Sequence, residues 1–163
     1  MSLLFIVSGA VAIIATVLVI TRLNAVHALL YMIVSLLAVA FIFFLLGAPF
    51  VAALEVIVYA GAIMVLFVFV IMTLNLGPQS VDQERRWLDL RGMPGVAILT
   101  VILLGELIFV LSGGSGEAAF GTQVSPQEFS ISLFGPYLLG VELASILLLA
   151  ALVGAYHLGR NLK

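Results

Sequence analysis

Cysteine is missing from the 163 residues, and charge is scarce: only 9% of the chain is Asp, Glu, Lys or Arg. Without a thiol there is no disulfide, no thiolate metal site and no cysteine-held iron–sulfur cluster. For the same reason cysteine usage says nothing about the redox compartment. Six Lys and Arg against eight Asp and Glu leave no basic field for nucleic acid. What remains is apolar. A soluble domain is about one quarter charged and under half apolar, whereas this chain is 64% hydrophobic with a mean hydropathy of +1.36. A globule this small keeps too much surface to hide so many apolar side chains. Soluble, disordered, collagenous and disulfide-framework classes are excluded. The chain is an integral membrane protein.

A helix needs about 20 apolar residues to cross ~30 Å of hydrocarbon. Five stretches qualify, at residues 3–21, 27–46, 51–74, 94–112 and 137–157. Each is apolar nearly all round, so length and missing charge identify the spans better than periodicity does. The breaks carry stop chemistry: Arg22 and Asn24, then Gly47-Ala48-Pro49, then Gly77-Pro78. Pro94 suits the first turn of the fourth helix, where its missing N–H costs nothing, and Pro136 suits the fifth in the same way. The expected fold class is all-α, one integral membrane domain over 1–163 built as a bundle of five transmembrane helices.

Basic residues set the orientation. Arg22, Arg85, Arg86, Arg91, Arg160 and Lys163 all fall on one side of the five spans. By the positive-inside rule that side is the cytoplasm, which places the N-terminus outside and the C-terminus inside. The first span reads as a retained helix rather than a cleaved signal, because no Lys or Arg precedes it and its apolar run is long. The loop at 75–93 is polar, with Trp87 suited to an interface. The loop at 113–135 is rich in Gly and Ser and too short for an independently folded domain; its Gly113-Gly114-Ser115-Gly116 stretch lacks the rest of a phosphate-binding loop and reads as a flexible linker. His27 and His157 each stand alone at helix ends and read as interfacial side chains.

The informative residues are carboxylates inside spans: Glu55, Glu106 and Glu142. An ionisable group in hydrocarbon costs about 2.5–3.5 kcal/mol on insertion scales, so it faces protein or water and is a functional candidate by default. At 1.5 Å per residue, Glu55 lies about 6 Å, Glu142 about 8 Å and Glu106 about 9 Å from the outer helix ends. Snorkelling to the outer interface is the competing account of all three. Glu106 is the weakest candidate. In the third span, Glu55, Tyr59, Ala62, Leu66, Phe69 and Thr73 share one face at α-helical spacing. Beside them lies Ala60-Gly61-Ala62, where small residues admit a neighbouring helix and Gly lowers helix stability by about 1 kcal/mol. By spacing alone this notch reads first as packing.

Several segments resemble one family. The run ALEVIVYAGAIMVLFVFV at 53–70, followed by Asn75-Leu76-Gly77, looks like the third helix of the subunit J family of NADH:quinone oxidoreductase, respiratory complex I. Residues Asn24-Ala25-Val26-His27-Ala28-Leu29-Leu30-Tyr31 resemble the start of that family's second helix. Phe134-Gly135-Pro136-Tyr137 and Val141-Glu142-Leu143-Ala144-Ser145 resemble its fifth-helix signature. The similarity runs through nearly the whole chain in order, and Glu106 falls in none of its motifs.

The resemblance implies a multi-pass membrane-arm subunit in the bacterial inner membrane, part of a translocase that passes electrons from NADH to quinone and pumps protons. It implies no cofactor in this chain, with FMN, iron–sulfur clusters and quinone held elsewhere in the complex. Implied partners are the quinone-site subunit, subunit K, the antiporter-like subunits and the lipid bilayer. It also implies a π-bulge in the third helix around Tyr59, Ala60, Gly61, Ala62, Ile63 and Met64. Glu55, Tyr59, Gly61 and Glu142 become candidates for a proton path or for coupling. Two other readings stand beside it. One is a structural scaffold of this or a related complex with no coupling role. The other is a small stand-alone transporter, although no paired half-sequences of the inverted-repeat kind are present.

Overall fold

The computed structural model describes residues 2–22, 25–73, 94–114 and 123–160. Every regular element among them is helical. We label them α1 (Ser2–Thr21), α2 (Ala25–Leu45), α3 (Pro49–Thr73), α4 (Pro94–Phe109, continued by a π turn at Val110–Gly114), α5 (Pro126–Phe134) and α6 (Leu138–Arg160). All but α5 are long and apolar enough to cross a membrane. The physical cause is simple: hydrocarbon offers the backbone no hydrogen-bond partner, so each segment must satisfy its N–H and C=O groups internally. Hydroxyls follow the same rule. Thr16, Thr21 and Thr100 each donate to a carbonyl four residues back, at 2.8–3.0 Å.

The helix boundaries follow local chemistry. Gly47 ends α2 in the left-handed region, at φ 82°. Its N–H donates to the Phe44 carbonyl at 3.1 Å and that of Ala48 to Phe43 at 3.0 Å, the paired bonds of a Schellman stop. Pro49 then opens α3 at its first position. The helix α5 was not foreseen, because 126–134 falls in the stretch read as a Gly- and Ser-rich outer loop. Its start is a capping box: the Ser125 hydroxyl accepts from the Glu128 N–H at 3.2 Å, and Glu128 Oε2 accepts from the Ser125 N–H at 2.9 Å. Pro136 lies in the turn before α6, which begins at Leu138. The 75–93 loop lies outside the described residues.

Contacts divide the chain into two units, residues 1–123 and 124–163. The first has its core where α1, α2 and α4 meet: Val11, Ala15, Tyr31, Val34, Ala38 and Leu99. Ala15 and Ala38 are wholly buried, and their small side chains let the backbones approach closely. Polar groups join the first two helices. Thr16 Oγ1 and Ser35 Oγ lie 2.9 Å apart, and Ser35 also reaches the Ala12 carbonyl at 3.2 Å. His27, expected at the interface, is instead buried. It sits in the first turn of α2, the helix that packs along α1. The second unit consists of α5 followed by α6, whose side chains between Leu138 and Arg160 leave no residue buried.

Tyr31 anchors one end of the first unit. It is fully buried, its ring lies 5.4 Å under the Arg22 guanidinium, and its hydroxyl reaches Gly95 at the start of α4. A methyl group on Gly95 collides with that hydroxyl, and overpacking of this kind costs about 1–3 kcal/mol. The hydroxyl itself has no hydrogen-bond partner among the described residues. Gly95→Ala is therefore expected to lower the thermal unfolding midpoint in detergent, and Tyr31→Phe to restore part of the loss. An equal loss in single and double variants contradicts this contact.

Candidate functional site

α3 changes register in its middle. It begins as an α-helix at Pro49–Leu54, runs as a π-helix through Glu55–Ile63, and returns to α at Met64–Thr73. At the downstream junction the Met64 N–H donates to the Tyr59 carbonyl, five residues back rather than four. Such segments are rare and recur at functional sites. The sequence favours it locally: Gly61 between two alanines weakens the α alternative, and no side chain there resists a wider turn. The Val56 carbonyl lies 3.1 Å from where a Cβ on Gly61 would stand. That oxygen is also five residues back, so the absence of a side chain at position 61 suits the π register.

The segment starts four residues before Tyr59, earlier than the resemblance implied, and contains Glu55, Tyr59 and Gly61 together. Met64 is the first residue beyond it. Glu55 is half-buried, Tyr59 is half-exposed, and Ala60 and Met64 are buried on the inner side. No hydrogen bond joins Glu55 to Tyr59 among the described residues. The single face drawn through Glu55, Tyr59, Ala62, Leu66, Phe69 and Thr73 assumed one α register throughout. The π segment interrupts that register, so spacing before it does not carry over to residues after it.

Space adjoins the segment. A cavity of 430 Å³ opens between α2, α3 and α4, lined among others by Phe41, Phe44, Ala53, Val56, Leu103 and Leu107. Phe41 and Phe44 stack at 6.4 Å between ring centroids. Val56 belongs to the π segment, so a change of register there meets open volume rather than a packed wall. The wall is almost wholly apolar. Glu55 and Tyr59 offer proton-exchanging and hydrogen-bonding groups, and no cluster of three His, Asp or Glu side chains able to hold a metal occurs among the described residues.

The other two carboxylates lie elsewhere. Glu142 is exposed on α6, in the second unit, where Ser145 donates to its backbone carbonyl at 2.7 Å. Glu106 is buried rather than snorkelling, and Ser8 on α1 lies 2.9 Å from its Oε2. Ser8 was not singled out from the sequence. A signal existed: Ser8, Ala12 and Thr16 form a row of small and polar side chains at four-residue spacing on α1.

Comparison with known proteins gives consistent results. Residues 15–158 match the family described as NADH-ubiquinone/plastoquinone oxidoreductase chain 6. NADH-quinone oxidoreductase subunit J of Pseudomonas aeruginosa is 59% identical over 162 residues, spanning 99% of this chain and 98% of that protein. Subunit J of Escherichia coli (strain K12) is 54% identical over 161 residues, spanning 99% and 88% respectively. Its counterpart in Buchnera aphidicola subsp. Schizaphis graminum is 45% identical over the full length of both.

Proposed function

Because the chain belongs to the NADH-ubiquinone/plastoquinone oxidoreductase chain 6 family, we propose that it couples quinone reduction to proton pumping, as a membrane-arm subunit of NADH-quinone oxidoreductase, through a register change in α3. The observation that carries this reading is the π segment at Glu55–Ile63 inside a spanning helix. One residue gained or lost from an α register turns everything beyond it by about 100°. Such a turn moves Leu66 and Phe69 around the helix axis and alters the solvation of Glu55 and Tyr59. The adjoining cavity supports the same reading, since it supplies room for the movement.

In this account electrons never pass through the chain. Its residues include no cysteine to hold a cluster, and FMN, iron–sulfur clusters and quinone belong to other subunits. The expected partners are the quinone-site subunit, subunit K and the antiporter-like subunits, in the bacterial inner membrane. Much of the apolar surface of α3 and α6 is exposed in the isolated chain, which suits helices that face lipid and neighbouring subunits. Glu142 is the second coupling candidate, on α6.

Mild detergent extraction followed by a native gel tests membership of the complex. The expected result is one very large band that contains the chain and stains for NADH-to-dye activity. A small band alone favours a stand-alone transporter. The arrangement with the N-terminus outside carries its own check in reporter fusions at Ser80, Ser115 and the C-terminus. Alkaline phosphatase is expected to be active only at Ser115, and activity at Ser80 overturns that topology.

A further inference from the structure

The contact between Ser8 and Glu106 requires a count of hydrogens. Ser8 Oγ lies 2.8 Å from the Leu4 carbonyl oxygen and 2.9 Å from Glu106 Oε2. A hydroxyl donates one hydrogen and accepts through its lone pairs. If Glu106 is a carboxylate, both neighbours of Ser8 Oγ are acceptors and one of the two contacts lacks a hydrogen. If Glu106 is a carboxylic acid, its O–H donates to Ser8 Oγ while Ser8 donates to Leu4. Both contacts are then hydrogen bonds.

The surrounding charges point the same way. No Lys or Arg occurs on α1, α2, α3 or α4. α1 carries no titratable side chain, and Glu106 is the sole titratable residue of α4. α2 contributes His27 and Tyr31, but Tyr31 meets α4 at Gly95, eleven residues or about 16 Å away along the helix. α3 contributes Glu55 and Tyr59, neither hydrogen-bonded to Glu106. Glu106 is only 7% exposed, and its second oxygen, Oε1, is buried with no hydrogen-bond partner among the described residues. A buried acceptor left without a donor is unfavourable, and one water molecule would satisfy it.

We propose that Ser8 and Glu106 form a proton-holding site inside the membrane, with Glu106 a neutral acid whose Oε2–H donates to Ser8 Oγ and whose carbonyl oxygen Oε1 accepts a hydrogen bond from a water molecule. The site rests on α1 and α4 alone and goes beyond the coupling role of α3, so either can fail without the other.

Infrared spectroscopy of the whole oxidoreductase in membranes at neutral pH tests it. The wild-type spectrum minus that of Glu106→Gln is expected to contain one carboxylic-acid carbonyl band, which moves to lower frequency in heavy water. In Ser8→Ala, where the carboxyl group is kept, the band persists and moves to higher frequency because its hydrogen bond is lost. A difference spectrum with carboxylate bands only overturns the proposal. So does a band that Ser8→Ala leaves in place, a readout that remains if the glutamine variant assembles poorly. A band insensitive to heavy water means that no water reaches the acid, which overturns the water contact at Oε1.

Discussion

Replacing Gly61 by valine is expected to lower NADH-driven proton pumping and quinone reduction together by about tenfold, while NADH-to-dye electron transfer stays at the wild-type rate. The Cβ of any residue at position 61 stands 3.1 Å from the Val56 carbonyl oxygen, closer than ordinary packing. Valine adds two methyl groups on that carbon, and its branched Cβ also restricts rotation in a helix. Overpacking costs about 1–3 kcal/mol, and 1.4 kcal/mol corresponds to about tenfold in a population. The crowded oxygen is the one five residues back, so the penalty falls on the π register and biases α3 towards α. In the proposed account a dye takes electrons before the membrane arm is reached, so its reduction is expected to be insensitive to that bias. Glu55→Gln is expected to be milder, because it keeps the shape and removes only the charge. Normal pumping by a fully assembled Gly61→Val enzyme means that the notch is packing alone, and the scaffold reading then replaces the coupling one.

The spans were legible because their signal is length and missing charge, which needs no tertiary contact. Helix ends at Gly47-Ala48-Pro49 and Pro94 were legible too, since their backbone chemistry is local. The start of α5 was equally local but was overlooked, because the Gly- and Ser-rich composition before it masked the Ser125–Glu128 capping box. The π segment lay beyond local reading. Glycine between alanines permits a wider turn without requiring one, and resemblance to the family supplied the expectation. Burial was the least legible property. His27 and Glu106 read as side chains near an interface, yet both are enclosed by neighbouring helices in the first unit. A single apolar sequence does not show which of its faces meets another helix, since lipid and protein are about equally apolar. The Ser8 partner of Glu106 is 98 residues away in sequence, so its pairing is a property of packing.

Deleting one residue from the π segment tests the switch itself. In the π register each N–H reaches five residues back, and an α-helix over the same rise holds fewer residues. Removing Ala60 lets Glu55–Ile63 close into the α register while Pro49–Leu54 and Met64–Thr73 keep their faces. The residue removed is a small one, and its neighbours Gly61 and Ala62 are small as well, so side-chain packing changes little. If α3 must pass through both registers in each catalytic cycle, a helix confined to one of them halts the cycle. If the π segment is only a packing irregularity, its removal leaves turnover intact.

The decisive measurement is therefore proton uptake per NADH oxidised, by the Ala60-deleted oxidoreductase purified as a complete complex and reconstituted in sealed vesicles, with dye reduction as the internal control. The account predicts normal dye reduction with quinone reduction and pumping both nearly abolished. Pumping at the wild-type rate and ratio, from an enzyme whose third helix has lost the π segment, contradicts it.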